Sequence, residues 1–536
     1  MKKEGFFMYH LLIKNGTIYD GSGNKPYHSD IAIQDNKIVK IEQSIQEEAG
    51  LIIDAWNKIV VPGFIDVHCH DELEILNTDT VSPKVKQGVT TVVNGNCGLG
   101  FIPVVREKKK DLYDFNSALF NLDNIEFTWN NYEEFKEVFE KNGNLGINIV
   151  NLVPHGALRI AVMGLKGQKA SDGELKKMGE ILNEYLKRGA YGMSTGLLYP
   201  PCSYADVEEL KYLCRIIADN NGIFAIHLRN ESDKIIESIK QTIEIAAKTN
   251  VSAEISHLNI SGKNNWGQAD DILKIIGKAR ENGIKINCDQ YPYKAGSTFI
   301  SALLPQWALD GGMENLVNKL EKNASGIKEK IKKEIIDGIE GWDNIIKESG
   351  WENIVINSVY HDSNKKLVGK NLLEVAEIKG LDIFEALFNL IREEKGRATV
   401  LIFSVCEEDL HRIYKSEVVM VGSDGIKLGD SPHPRLYGTY FKILDEFVKD
   451  KKLLPLPKAI RKMTSLPAEK FNIKNRGFIR ENYYADIVIL NLDKIKNIAS
   501  YEKPDQTGPG IDLVIINGVI ACKNNKLFPN RSGRVL

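Results

Sequence analysis

The sequence predicts an α/β protein: a (β/α)8, TIM-like barrel with a small discontinuous β-sandwich domain built from both chain ends. Three observations predict it. Helical and strand-like text alternates through the middle of the chain, short alternating apolar runs cluster at both ends, and 536 residues exceed several times the roughly 150 that one ordinary domain needs. With 43% hydrophobic and 26% charged residues, the chain can bury a large core, so disorder is not its default state.

At the N-terminal end, LLIKNGTIYD, DIAIQDNKIVKIEQ and LIIDAWNKIVV are separated by Asn-Gly, Gly-Ser-Gly and Asp-Asn punctuation, which reads as consecutive β-hairpins. The same texture returns in RGFIRENYYADIVILNL and DLVIINGVIACKNNKLF. Each piece alone has too few strands to close a core, so residues 1–62 and 473–536 are expected to form one domain. The opening MKKEGFFMYH has two lysines and a short apolar patch, but His10 interrupts it and no small-residue cleavage site follows, so it reads as mature protein.

Residues 63–472 change period. Ser171 and Glu174 have capping-box spacing, after which Leu175, Met178, Ile181, Leu182, Tyr185 and Leu186 recur at helical intervals. The short segment YGMSTGLL follows, then a helix around Leu210, Leu213 and Ile217 and the strand IFAIHL. A helix from Ile235 leads to VSAEISHL, and another, ended by Asn282-Gly283, leads to IKINCDQYPY. Such alternation implies parallel strands with crossover helices, and a closed barrel is the economical arrangement. Charge-rich helical text at about 310–370 breaks the rhythm and reads as an insertion, either a solvated face or a lid over the barrel mouth.

Charge and cysteine usage narrow the partners. Seventy basic against 72 acidic residues leave a formal charge of -2, which offers no bulk attraction to phosphate backbones or anionic membranes. Neither nucleic acid nor a membrane is an expected partner, and no run approaches the roughly 18 to 20 apolar residues that span a bilayer. The seven cysteines (69, 97, 202, 214, 288, 406 and 522) are scattered, odd in number and without a CxxC pair, which points to a reducing compartment, the cytoplasm. The sequence sets no oligomeric state.

In a barrel the strand C-termini converge on one face, so donors that end several strands meet there. VPGFIDVHCH places His68 and His70 two apart, on the same side of the chain, with Cys69 on the other. Cys97 ends TTVVNGNC, His227 ends IFAIH, His257 follows AEIS, and Asp424 ends VVMVGSD. One such histidine is more often a hydrogen-bonded rim residue, and a lone free cysteine is more often a small buried hydrophobe. Six together point to a metal, and imidazole, thiolate and carboxylate in combination suit Zn²⁺ better than calcium or magnesium.

VPGFIDVHCH, followed by single histidines on two later strands and a final aspartate, resembles the metal-dependent amidohydrolase superfamily. Within it, NGNCGLG (94–100), GMSTGLLYPP (192–201), HLRNE (227–231), ISHLNISG (255–262), DQYPYKAGST (289–298), GSDG (422–425) and HPRLYGTY (433–440) resemble, in order, the D-aminoacylase or N-acyl-D-amino-acid deacylase family. The resemblance implies zinc-dependent hydrolysis of N-acyl-D-amino acids to a carboxylate and a free D-amino acid. It places Cys97 where most binuclear amidohydrolases have a carboxylated lysine. It implies one tight zinc site of Cys97, His227 and His257, a second, weak or empty site of His68, His70 and Asp424, and Asp424 as general acid/base.

The small-molecule substrate carries an α-carboxylate, for which Arg435 offers a bidentate grip. Tyr291 and Ser297 match family positions that help to hold that carboxylate. The chain departs from the family in having Asn259 where a lysine is common, which leaves Lys263 or Lys294 as candidate replacements. Two other readings share the residues: a cyclic-amide (hydantoinase- or dihydropyrimidinase-like) or D-dipeptide-type amidohydrolase, which the bridging cysteine disfavours, and a non-catalytic scaffold, disfavoured because all six donors persist.

Overall fold

Each apolar run that the sequence places before a candidate metal ligand is a strand, and these strands run parallel. The structure, a computed structural model, describes residues 8–72, 75, 81–117, 119, 120, 122, 127–141, 145–323, 326–429, 431–529 and 531–536. The reading of residues 1–7 as mature protein lies outside them. In chain order the barrel strands are Phe64–Asp66, Val89–Asn94, Asn148–Asn151 running on as Val153–Pro154, Gly192–Gly196, Ile223–His227, Ser252–Ile255, Ile286–Gln290 and Val419–Val421. Neighbours pair in parallel from the first strand to the eighth. The circle closes just past the strand ends, where Asp424 N donates to His68 O at 2.7 Å and His70 N donates to Gly425 O at 3.0 Å.

Local sequence explains most of this frame. Ser171 and Glu174 make the reciprocal capping box that starts the helix Asp172–Lys187, whose inner face buries Met178, Leu182, Tyr185 and Leu186. Asp206 caps the helix Val207–Asp219, which buries Leu210, Leu213, Cys214 and Ile217. Each helix lays a 3.6-residue apolar stripe on the outside of the strands, as a parallel sheet buried on both faces requires. The third strand is the exception to legibility. Asn148 and Asn151 flank its short apolar run, and all four of its residues are buried, so it carries no alternating pattern.

The two chain ends share one nine-stranded sheet. Ile59–Pro62 pairs antiparallel with Ile487–Leu490, joining the N-terminal strands to the C-terminal ones. Leu11, Ile13, Ile31 and Ile33 from one end and Ile487, Ile489 and Ile515 from the other bury in a common core. Neither end completes that core alone.

The charge-rich text at 310–370 belongs to a larger unit inserted between the seventh and eighth barrel strands. Ala295–Phe299, Thr399–Phe403 and Ile354–Ser358 form an antiparallel three-stranded sheet. Helices Gly312–Lys322, Ile327–Asp337 and Ile383–Glu393 bury Leu316, Ile331 and Leu387 in a core separate from that of the barrel. The lysines and glutamates that dominate the text lie on the outer faces, while one apolar side chain per turn points inward. No helix among the described residues is long and apolar enough to cross a membrane.

A buried ion cluster fastens the closing seam. Lys84 Nζ lies 2.5 Å from Asp66 Oδ2, 3.1 Å from Asp71 Oδ2 and 2.6 Å from Ser423 Oγ. Asp66 Oδ1 also accepts from Ser423 N at 2.8 Å, so first and last strands are tied through one carboxylate. Removing one partner of a buried pair strands the other's charge. Lys84→Met is therefore expected to lower stability by about 3–5 kcal/mol in urea unfolding, and a loss below about 1 kcal/mol would refute this role for the cluster.

Candidate metal centre

The six donors predicted from strand ends converge at the barrel mouth. One ligand atom from each of His68, His70 and Cys97, from each of Cys97, His227 and His257, and from each of His68, His257 and Asp424 lies within 4.8 Å of the others in its group. Cys97 Sγ is 3.3 Å from His68 Nε2 and 3.4 Å from His257 Nε2. His227 Nδ1 sits 2.9 Å from His257 Nε2. Asp424 Oδ1 lies 3.5 Å from His68 Nε2 and 3.3 Å from His70 Nε2. All six residues are buried.

Three of the donors stand on left-handed backbone: Cys97 (φ 54°), His257 (φ 32°) and Asp424 (φ 49°). This conformation is uncommon for residues other than glycine and persists where surrounding structure holds it. At Cys97 the hold is visible. Gly95 (φ 81°) begins the turn, and a side chain there would collide with the Leu152 carbonyl. Gly95 N donates to Glu72 Oε1 at 2.6 Å, Asn96 Nδ2 to Val93 O at 2.8 Å and Gly98 N to Ser194 Oγ at 2.9 Å. The thiol is thus presented by a fastened turn.

Two carboxylates absent from the sequence reading orient the imidazoles. Asp289 Oδ2 lies 3.3 Å from His68 Nδ1 while its Oδ1 accepts from His257 N at 3.1 Å, and Glu231 Oε1 is 3.0 Å from His257 Nδ1. His68 and His257 therefore turn Nε2 inward with Nδ1 held by an acid, the pattern that fixes tautomer and ring orientation at metal sites. Both acids sit in quoted motifs, HLRNE and DQYPY, but their pairing spans strands and leaves no local signal.

The electrostatics favour positive charge at the point where the donors meet. Burial opposes ionisation of Cys97, but the His68 and His257 charges, with hydrogen bonds to His227 and His257, hold its thiol well below the usual range. Burial likewise opposes charge on His68, yet Asp289, Cys97 and Asp424 lift it to about 10. His70 rises to about 9 against burial through Asp424 and Cys97. Asp424, again against burial, is kept well below the carboxylate range by Arg435 and His68. Thiolate and carboxylate hold protons on nitrogens that a cation would take over. Cys69 behaves otherwise: it turns away to Asn94 Oδ1 at 3.1 Å, and burial pushes its thiol up.

Beside the donors, Arg435 is buried, with Nη1 2.7 Å from Asp424 Oδ2 and its guanidinium 4.8 Å from the centre of the Tyr291 ring. Arg435 Nε and Nη1 and Ser297 Oγ are buried without an aligned hydrogen bond. All three residues line one cavity with His70, Cys97, His227, His257 and Asp424. Neither candidate replacement for the missing lysine faces it. Lys263 is exposed, and Lys294 lines a separate surface cavity with Glu407 and His411. Asn259 is buried and does not line the cavity; its Oδ1 accepts from Gln290 Nε2 at 3.4 Å. Among the described lining residues, Arg435 is the only lysine or arginine. Neither lysine can stand in for the missing one there, because both side chains start from positions that do not open on the cavity.

Residues 51–283 and 411–522 match the sequence profile described as the Amidohydrolase family. The chain belongs to the amidohydrolase family. The interval between the matched segments contains the seventh barrel strand and the three strands of the insertion. Among relatives, this amidohydrolase is 29% identical to a D-aminoacylase of Alcaligenes xylosoxydans xylosoxydans, over 98% of this chain and 97% of the relative. It is 30% identical to an N-acyl-D-glutamate deacylase of the same organism, over 98% and 96% of the two chains. It superposes on the crystal structure of an N-acyl-D-glutamate deacylase from Bordetella bronchiseptica, complexed with zinc and a phosphonate inhibitor, with a TM-score of 0.82 and 27% identity, covering 99% of each chain.

Asp289 acts on the centre only through His68 and the His257 backbone, so its loss should loosen the amidohydrolase's grip on metal. Asp289→Asn is expected to weaken divalent-metal affinity by roughly 10- to 100-fold, measured by competition with a chromogenic chelator. Unchanged affinity in a folded variant would remove Asp289 from the centre.

Proposed function

We propose that this amidohydrolase is a zinc enzyme that cleaves the amide bond of N-acyl-D-amino acids. The observation that carries the reading is the adjacency, in one cavity, of a cysteine–histidine donor set, an aspartate paired with Arg435, and two buried donors, Arg435 Nε and Ser297 Oγ, without a hydrogen-bond partner. The D configuration is taken from the names of the relatives.

The residues fit the metal. A thiolate and two imidazole nitrogens within 4.8 Å form a three-ligand set of the kind that leaves zinc an open position. Cys97, His227 and His257 would hold the tight ion, and His68, His70 and Asp424, with Cys97 between the two sets, a weaker or empty second site. Zinc, when bound, supplies Lewis-acid polarisation of the amide carbonyl and acidifies the attacking water.

The side chains account for the remaining steps. Arg435 and Ser297 grip the α-carboxylate, for a buried donor without an acceptor costs about 1–3 kcal/mol and an anionic ligand relieves that cost. The Tyr291 ring supports the guanidinium, and burial keeps its phenol protonated and able to donate. Asp424, ionised beside Arg435, accepts a proton from the water at Oδ1. Water oxygen bonds to the acyl carbon, the C–N bond breaks, and the proton passes from Asp424 to the departing amine nitrogen. Arg435 touches Asp424 and the cavity alike, so substrate binding and base position share one side chain.

The setting agrees with a small anionic substrate. Near-neutral bulk charge leaves its attraction to local groups, Arg435 and the metal. We place the protein in the cytoplasm, since all seven cysteines are unpaired and a reducing compartment suits them.

The protein is expected to hold one tightly bound zinc by elemental analysis and to prefer N-acetyl-D-methionine over its L isomer by at least about 100-fold in kcat/KM, as stereochemistry costing roughly 3 kcal/mol would give. Equal rates on the two isomers, or no bound metal, would overturn the reading. Asp424→Asn should lower kcat by roughly 10²–10⁴ with zinc retained at the tight site. Arg435→Lys, which keeps the charge but loses the fork, should raise KM more than it lowers kcat.

A further inference from the structure

Four carboxylates line the cavity: Glu231, Asp343, Glu348 and Asp424. Three are committed. Asp424 faces Arg435 and the histidines, and Glu231 holds His257. Asp343 Oδ2 accepts from Glu231 N at 2.7 Å and its Oδ1 from Ser232 Oγ at 2.5 Å, which ties the insertion to the barrel.

Glu348 is the exception. It is half-buried in the short helix Ile345–Ser349 of the insertion, and its Oε2 accepts one hydrogen bond, 3.0 Å from the neutral Asn265 Nδ2. No ion pair to Glu348 occurs among the described residues. The guanidinium of Arg435, the cation among the described lining residues, is engaged with Asp424, so this wall carries an acidic group without an ion pair among the described residues. Leu198, Ile345, Ile402 and Val405 line the same cavity and present apolar surface beside it.

We infer that Glu348 sets side-chain specificity, selecting N-acyl-D-amino acids whose side chain is an aliphatic stem ending in a cation, as in D-lysine, D-ornithine and D-arginine. The inference rests on the deacylase reading above and adds the substrate class. The apolar wall covers the methylene stem, and the terminal ammonium or guanidinium donates to Glu348 Oε1, a charge-assisted bond in a half-buried setting. An acidic side chain would meet like charge where no lysine or arginine among the described residues lines the cavity beside Glu348 except Arg435, already paired with Asp424, so the pocket discriminates by repulsion as well as attraction. Relatives named for D-glutamate and D-aspartate would need the opposite sign at this end of the cavity.

The experiment compares kcat/KM of the zinc-loaded protein on N-acetyl-D-lysine, N-acetyl-D-arginine, N-acetyl-D-methionine and N-acetyl-D-glutamate. The basic substrates are expected to exceed the glutamate by at least about 100-fold. In Glu348→Gln the lysine-to-methionine ratio should fall about tenfold (about 1.4 kcal/mol), and Glu348→Lys should raise the glutamate-to-lysine ratio by a larger factor. Calorimetric binding of N-acetyl-D-lysine and N-acetyl-D-glutamate to Asp424→Asn gives the same comparison without turnover. Turnover of N-acetyl-D-methionine with glutamate equal to or better than lysine overturns the specificity assignment alone, as does an unchanged ratio in Glu348→Gln. Failure to hydrolyse any N-acetyl-D-amino acid overturns the deacylase reading, and the specificity assignment with it.

Discussion

The hydrogen bond from Asp424 N to His68 O joins the eighth strand to the first and sets the distance between two halves of the candidate metal centre. His68 and His70 come from one end of the barrel sequence and Asp424 from the other. Only ring closure brings Asp424 Oδ1 within 3.5 Å of both imidazoles. The seam is reinforced below by Lys84, Asp66, Asp71 and Ser423, which bury charge that water would otherwise stabilise. Such a cluster is a poor source of net stability but a strong constraint on geometry, because any other register would leave its charges unpaired.

The donors themselves would repel or misalign without that frame. A thiolate, a carboxylate and four imidazoles crowd into buried space, and three of them stand on left-handed backbone. The surrounding turns hold them through main-chain hydrogen bonds, and Asp289 and Glu231 turn Nε2 of His68 and His257 inward. Rigidity on strand ends, with orientation supplied by acids one layer out, is what a metal site needs to hold its ligands before the ion arrives.

The insertion changes what the barrel mouth can admit. Its own core lets it fold as a wall, and Asp343 anchors that wall to the loop after the fifth strand. The cavity is lined both by the donor set with the Arg435–Asp424 ion pair and by Ile345 and Glu348 of the insertion. The donor set stands on the barrel strands, whereas part of the cavity wall comes from the segment inserted between the seventh and eighth of them.

The sequence by itself determined the kinds of donor and their places at strand ends, because strand and helix periods and caps are local properties that survive in a linear reading. The split sheet domain was legible for the same reason: hairpin texture marks its strands at both chain ends. The short third strand was not, since full burial erases alternation, and the insertion read as narrower than it is because its flanking strands resemble barrel text. Only the tertiary structure decided that Asp289 and Glu231 orient His68 and His257, that Arg435 pairs with Asp424, that Asn259, Lys263 and Lys294 do not line the cavity, and that Glu348 lines it without an ion pair among the described residues. Those facts depend on which way side chains point after residues hundreds of positions apart are packed together, and the closure that packs them is a property of the whole barrel.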